Sequence, residues 1–176
     1  MDARALLNGV PRAVRSLVGS DLRACTASTG FGLIKLHYGN QKLHYEANHQ
    51  ARSRTIEIGL HFEADAFTNT RLLGAFRIHQ KRIHRELPGA RLEEWDKGWA
   101  RIWEPIPYEE LDAALQRDVA ARIARYISVL EPILREELPA DVAWTLPSRA
   151  ASARRVRSTS PRASARRSPT PRNRSG

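Results

Sequence analysis

The 176-residue chain has a formal net charge of +10, and almost all of this charge lies in its last 29 residues. Residues 148–176 contain nine Arg and no Asp or Glu, whereas the other 147 residues carry 20 Lys and Arg against 19 Asp and Glu. Because the body is near neutral, the sequence excludes a nucleic-acid-binding protein that is basic along its whole length. The single cysteine, Cys25, excludes an internal disulfide.

The body is long enough to bury a hydrophobic core, and one folded domain is expected from its length. No apolar run approaches the roughly 20 residues that a membrane helix needs, so we expect no membrane contact. The lone cysteine gives no sign of an oxidising compartment, and we expect a cytoplasmic location. Dinucleotide, phosphate-loop and nucleophile motifs are absent from the sequence, so no cofactor is expected.

Residues 1–30 are weakly patterned and are expected to form a separate, weakly structured segment. Their apolar residues have the spacing of one short helix, with Pro11 near its start. The stretch from Thr26 to Gly32 is typical of a loop. The folded α+β domain is therefore expected to span residues 31–139.

Two strands joined by a tight turn are predicted next. Ile34 and Leu36 alternate with polar neighbours, which is the period of a half-buried strand. Gly39-Asn40 is typical of a two-residue hairpin turn. Such a turn pairs Leu36 with Leu43 and places the apolar residues of both strands on one face.

The remaining elements follow in chain order. A third strand is predicted over residues 54–63, and Asp65 then caps a helix over roughly 66–87. Strands over 90–95 and 99–104 are joined by a three-residue loop in which Gly98 is expected at positive φ. A closing helix is predicted over 108–138.

The predicted order is β-β-β-α-β-β-α, an α+β fold with a largely antiparallel sheet and two helices on one face. An Arg/Ser/Pro-rich tail over residues 140–176 has too few apolar side chains to order itself, and we expect it to be disordered. The second face of the sheet is left open to solvent, to a protein partner or to a second copy of the chain.

This outer face collects His and Glu side chains from adjacent strands. We take His44, Glu46, Glu57 and His61 as candidate ligands of a divalent metal, because imidazole and carboxylate both suit such ions. The alternative is a solvated face on which Glu pairs with Lys and His across strands. The lack of a closely spaced metal-binding motif favours this alternative.

Two basic segments are candidates for nucleic-acid binding. Arg77, Lys81 and Arg85 lie four residues apart on the exposed side of the predicted helix 66–87, where the alternative is again a solvated face. In the tail, the candidate contacts are Arg154, Arg155, Arg157, Arg166 and Arg167. The tail is interpreted as a nucleic-acid-binding arm, as a phosphorylatable arm, or as a coding accident without function.

Five segments carry a resemblance to a known family; they are Lys42–Glu46, Ile56–Phe62, Leu72–Leu87, Leu92–Trp95 and Trp99–Trp103. In these segments and in element order, residues 42–138 resemble an uncharacterised bacterial domain found at the C-terminus of predicted PD-(D/E)XK nucleases. The nuclease motif itself needs an acid followed two residues later by Lys, but Gly59 follows Glu57 at that distance. The resemblance therefore implies an accessory domain in a DNA-processing or defence context.

Two hypotheses follow from the sequence. The leading hypothesis is a small non-catalytic interaction domain with a basic arm that binds nucleic acid nonspecifically. The alternative is a metal-dependent nuclease or phosphodiesterase that uses the outer His/Glu face.

Overall fold

The strands of the chain form a six-stranded antiparallel sheet, and helices precede, interrupt and follow it in sequence. The computed structural model describes residues 1–138. The strands span Thr26–Gly30 (β1), Leu33–His37 (β2), Leu43–Gln50 (β3), Thr55–Phe62 (β4), Arg91–Trp95 (β5) and Trp99–Pro107 (β6). The helices span Ala3–Leu17 (α1), Ala66–Ile78 (α2), Gln80–Glu86 (α3) and Ala113–Glu137 (α4). The strand order is β1-β2-β3-β4-β6-β5, so the α+β class and the antiparallel sheet are confirmed. The tail predicted over residues 140–176 lies outside the described residues.

Aspartate caps begin three of the helices. In each case the Asp carboxylate accepts a hydrogen bond from the backbone N–H three residues later, which satisfies a donor that has no partner inside the helix. The pairs are Asp2 with Ala5 at 2.7 Å, Asp65 with Thr68 at 2.9 Å, and Asp112 with Leu115 at 2.8 Å. The cap at Asp112 explains why α4 begins five residues after the predicted start at 108.

The hydrophobic core lies between one face of the sheet and the helices. The sheet contributes fully buried aliphatic and aromatic residues that include Leu36, Tyr45, Ile56, Ile58, Leu60 and Ile102. The helices contribute, among others, Leu72, Phe76, Ile123, Ile127 and Leu130. Burial on this scale is the main source of stability in a domain of this size.

The N-terminal segment is more structured than the sequence indicated. Helix α1 places Leu6, Leu7 and Val10 in the same core, and the Gln116 side chain of α4 donates a 2.6 Å hydrogen bond to the Leu6 carbonyl. Pro11 lies in the middle of α1 rather than near its start, because the Asp2 cap begins the helix nine residues earlier. The boundary placed at residue 31 therefore does not separate α1 from the fold.

The first hairpin has a different register from the predicted one. Leu36 pairs with Tyr45 rather than with Leu43, a shift of two residues. The connection is a longer loop in which Gly39 adopts φ 97° and the Asn40 side chain accepts a 3.0 Å hydrogen bond from the Lys42 N–H. Because side chains alternate with period two, this shift leaves every side chain on its predicted face.

Two further elements differ from the sequence prediction. Residues 26–30, predicted as loop, form the edge strand β1 and pair with β2. The helix predicted over 66–87 is divided into α2 and α3 at His79, whose Nε2 lies 2.9 Å from a carboxylate oxygen of Glu137. His79 is therefore hydrogen-bonded, on a side chain that is partly exposed.

Strand β6 also continues three residues beyond its predicted end at residue 104. Pro105 pairs with Glu57 of β4, and Pro107 closes the strand. On the opposite edge, β5 pairs only with residues 99–103, so the later part of β6 has a free edge on that side. A proline at such an edge removes no ladder hydrogen bond.

Candidate functional site

Three histidines lie side by side across the outer face of the sheet. His37 of β2 pairs with His44 of β3, which pairs with His61 of β4, and the row continues to Arg101 of β6. The rings of His44 and His61 stack with their centroids 5.6 Å apart and their planes at 19°. The antiparallel register thus brings together histidines that are far apart in sequence.

The centre of this outer face is buried, although a face open to solvent was expected. The exposed fractions are 0% for His44, 5% for His61 and 7% for Glu46. Trp95 contributes to this enclosure, because its ring packs edge-on against His61 with a centroid separation of 5.8 Å. Polar groups at these positions are therefore removed from water and need partners within the protein or a bound ligand.

Four side chains converge at this centre: His44 and Glu46 of β3, His61 of β4, and Glu63 just after β4. Each offers one ligand atom, and these four atoms lie within 4.8 Å of one another. The His44 Nε2 is 3.2 Å from a Glu46 oxygen and 3.8 Å from a Glu63 oxygen. We call these four residues the His/Glu cluster.

The orientation of the His44 ring is fixed by a backbone carbonyl. Its Nδ1 lies 2.9 Å from the Gln41 oxygen, which only accepts hydrogen bonds, so Nδ1 carries a hydrogen and donates it. The opposite nitrogen, Nε2, faces the carboxylate of Glu46. Since a carboxylate oxygen is also an acceptor, either a proton or a cation is required between these two atoms.

His61 is neutral in this environment. Burial lowers the pKa of His61 to about 3, although the nearby charge of Glu46 acts in the opposite direction. Its Nδ1 is buried without a hydrogen-bond partner among the described residues. Burial likewise lowers the pKa of His37, with a further contribution from His44.

The pKa of Glu46 is lowered although its carboxyl group is buried. Burial by itself would raise the pKa of Glu46, but the hydrogen bond to His44 and the charge of Lys35 contribute to a net lowering of that pKa. The Lys35 ammonium lies 3.0 Å from an oxygen of Glu63 and 3.5 Å from one of Glu46. This cross-strand pairing of Lys with Glu was the predicted alternative to metal binding, and it is present beside the cluster.

Of the four candidate metal ligands, Glu57 lies outside the cluster. Its carboxylate is 3.3 Å from the Arg101 guanidinium, which also contacts Glu93 at 2.7 Å. Glu63 takes the fourth place instead. The signal that identifies it is the β3–β4 register. His44 pairs with His61, so Glu63, two residues after His61 on the same face, is the diagonal neighbour of His44, whereas Glu57 pairs with Asn48.

A second polar feature is the exposed basic side of α2 and α3. Arg77, Lys81, Arg82 and Arg85 are all exposed, and we call these four residues the α2–α3 basic face. Arg85 contacts Glu86 at 3.1 Å. The other three have no ion-pair partner within residues 1–138. The interruption at His79 does not bury any of the four.

The arginines of the tail that were candidate nucleic-acid contacts, from Arg154 to Arg167, lie outside the described residues. Among residues 1–138, no helix has the length and apolar character needed to cross a membrane. Comparisons with known proteins give no relative: no family model, no curated protein and no solved structure matches this chain. The function is therefore argued from the geometry of this chain.

Proposed function

We propose that this chain is a non-catalytic accessory domain that binds nucleic-acid phosphates nonspecifically through the α2–α3 basic face. The observation that carries this proposal is that Arg77, Lys81 and Arg82 are exposed and have no acidic partner in the described part of the chain. A cation that is already free can contact a phosphate without first breaking an internal ion pair.

Two exposed arginines of α4 contrast with these three. Arg122 contacts Asp118 at 3.1 Å and Arg125 contacts Glu86 at 3.7 Å, both within 4 Å of an acid on the same surface. The charge of these side chains is partly neutralised before any ligand arrives. Arg77, Lys81 and Arg82 form a group of three unpaired cations close together in sequence where α2 meets α3, and a polyanion would be attracted to that place.

The Arg-rich residues 148–176 would add to this binding. Their nine Arg and lack of acid suit contact with a phosphate backbone, whatever the base sequence. The resemblance of residues 42–138 to an accessory domain of predicted nucleases is consistent with a role in DNA processing or defence.

The alternative, a metal-dependent nuclease or phosphodiesterase, has weaker support. The His/Glu cluster offers four protein donors and is mostly buried. Catalytic zinc sites use three protein ligands and keep a position open for water or substrate, whereas structural sites are closed. The cluster thus has the ligand number of a structural site.

The proposal is tested by measuring the affinity of the full chain for a short DNA duplex by fluorescence anisotropy. We expect the triple variant Arg77→Ala, Lys81→Ala, Arg82→Ala to weaken binding and to reduce the slope of log K against log salt by about 0.9 for each lost phosphate contact. The control variant Arg4→Ala, Arg12→Ala, Arg117→Ala removes the same charge from other exposed positions. Equal effects of the two triple variants would show that net charge, rather than the α2–α3 basic face, governs binding.

A further inference from the structure

We infer that His44, Glu46, His61 and Glu63 form a closed site for one divalent cation of the zinc type, which joins β3 to β4 and stabilises the fold. This inference does not depend on nucleic-acid binding. It rests on the spacing of the four donors, on the orientation of His44 and on the missing partner of His61.

The spacing of the donors is close to that of a tetrahedral zinc site. Zinc bonds to imidazole nitrogen and carboxylate oxygen are about 2.0–2.2 Å long, which places neighbouring donors of a tetrahedron about 3.3–3.6 Å apart. The His44 Nε2 is 3.2 Å from Glu46 and 3.8 Å from Glu63. All four donors lie within 4.8 Å of one another, so small side-chain rotations would bring them to bonding distance.

His44 has the hydrogen bonding that is usual for a metal ligand. Metal-binding histidines almost always donate their second ring N–H to a carbonyl, a carboxylate or water, which fixes the tautomer and the direction of the ligating nitrogen. The Nδ1 of His44 donates to the Gln41 carbonyl at 2.9 Å, so Nε2 is directed at the two carboxylates. A cation at this point would bind all three groups at once.

His61 supplies the independent observation. His61 is only 5% exposed, and its Nδ1 is buried without a hydrogen-bond partner among residues 1–138. A buried polar group in this condition costs free energy, and such groups are rare in folded proteins. A metal ion bound to one ring nitrogen would supply the missing interaction.

The competing interpretation is that Lys35 is the permanent cation of this cluster. Its ammonium contacts both carboxylates, at 3.0 Å for Glu63 and 3.5 Å for Glu46. The two interpretations predict different metal affinities for a variant that lacks the Lys35 ammonium. If a metal binds, Lys35→Met should raise the metal affinity, because a competing cation is lost. If Lys35 alone serves the cluster, neither the parent chain nor the variant will bind the metal.

The experiment titrates the full chain with Zn²⁺ alone by isothermal calorimetry and with Co²⁺ by visible absorption. We expect one ion per chain, the intense visible bands of tetrahedral Co²⁺, and a higher melting temperature with the ion present. His61→Ala and Glu63→Gln should each weaken Zn²⁺ binding at least tenfold, and Lys35→Met should strengthen it. Circular dichroism checks that each variant is folded; Glu63 follows the strand and is partly exposed, so its variant is the safer of the two.

Two controls locate the site. Glu57→Gln changes a carboxylate of the same face that pairs with Arg101 and should leave Zn²⁺ binding unchanged. His84→Ala removes an exposed histidine of α3 and should also leave it unchanged. The inference is overturned if the parent chain and Lys35→Met both fail to bind Zn²⁺, or if binding survives in His61→Ala and in Glu63→Gln.

Discussion

The hydroxyl of Tyr45 on β3 donates a 2.9 Å hydrogen bond to the carboxylate of Glu131 on α4, and both side chains are buried. Arg135, one turn further along α4, contacts the same carboxylate at 3.5 Å. Burying a carboxylate is costly unless it is hydrogen-bonded or paired. This bond therefore ties the central sheet to the long helix through the hydrophobic core.

We expect Tyr45→Phe to lower the free energy of unfolding by about 1–3 kcal/mol, because the buried carboxylate loses its hydroxyl donor. The same substitution at Tyr126 is a matched control. The Tyr126 hydroxyl is buried and has no hydrogen-bond partner in residues 1–138, so Tyr126→Phe should be neutral or slightly stabilising. Urea unfolding of both variants measures the difference, and equal losses of stability would refute the role given to the Tyr45–Glu131 bond.

Stability should also fall in alkaline solution. Burial first, and then the charge of Glu131, raise the pKa of Tyr45 well above its ordinary value, and burial raises the pKa of Tyr126. The folded state thus holds these protons more tightly than the unfolded state, where the pKa is about 10. Their contribution is complete below about pH 10 and is lost as the pH rises above that value. The decline should be shallower in Tyr126→Phe, and an unchanged decline would contradict this assignment.

Gly59 of β4 is expected to tolerate no side chain. A Cβ at this position would contact the Ile102 carbonyl oxygen and would lie 2.7 Å from the Trp103 Cβ and 2.8 Å from its Cα. We expect Gly59→Ala to destabilise the fold by about 1–3 kcal/mol, because the backbone of β6 must shift.

Gly74 is the control for this prediction. It lies within α2, and nothing lies within 4 Å of an added Cβ. Gly74→Ala should therefore stabilise the protein by about 0.5–1 kcal/mol, through helix propensity and the lower entropy of the unfolded chain. In thermal unfolding, the melting temperature should fall for Gly59→Ala and rise for Gly74→Ala. A loss of stability in both variants would contradict the explanation that Gly59→Ala is destabilising because a Cβ has no room beside β6.

The loop between β5 and β6 should depend on a backbone conformation that favours glycine. Gly98 has φ 72°, and an added Cβ would lie 3.1 Å from the Ala66 Cβ. Gly98→Val should cost about 1–3 kcal/mol, and Gly98→Asn should cost less, because Asn adopts positive φ more readily. Similar melting temperatures for the two variants would refute this explanation.

Local sequence signals account for most of the fold. The Asp65 cap, the alternation of Ile56, Ile58 and Leu60, and the glycine of the β5–β6 loop each specified an element that the structure contains. Strand β1 was missed because its five residues, Thr-Ala-Ser-Thr-Gly, are mostly exposed and carry no hydrophobic period. Such an edge strand is specified by pairing with β2 rather than by its own sequence.

The candidate site was only partly predictable. Alternation places His44, Glu46 and His61 on one face. The distances between these side chains depend on strand register, and the register predicted for the first hairpin was wrong by two residues. Glu57 and Glu63 share that face, and only the pairing of His44 with His61 shows that Glu63 is the diagonal neighbour of His44, whereas Glu57 pairs with Asn48. The burial of the cluster also depends on Trp95, which is more than 30 residues away from His61 in sequence.

The most direct test of the proposed function compares the full chain with a chain that lacks residues 148–176, which lowers the net charge from +10 to +1. We predict that the shortened chain still binds a DNA duplex at low salt, with a slope of log K against log salt of about −3 to −4 from the four cations of the α2–α3 basic face. The triple variant Arg77→Ala, Lys81→Ala, Arg82→Ala in this shortened chain should abolish that binding. A shortened chain that does not bind at low salt, when the full chain does, would contradict the proposal and assign binding to the tail alone.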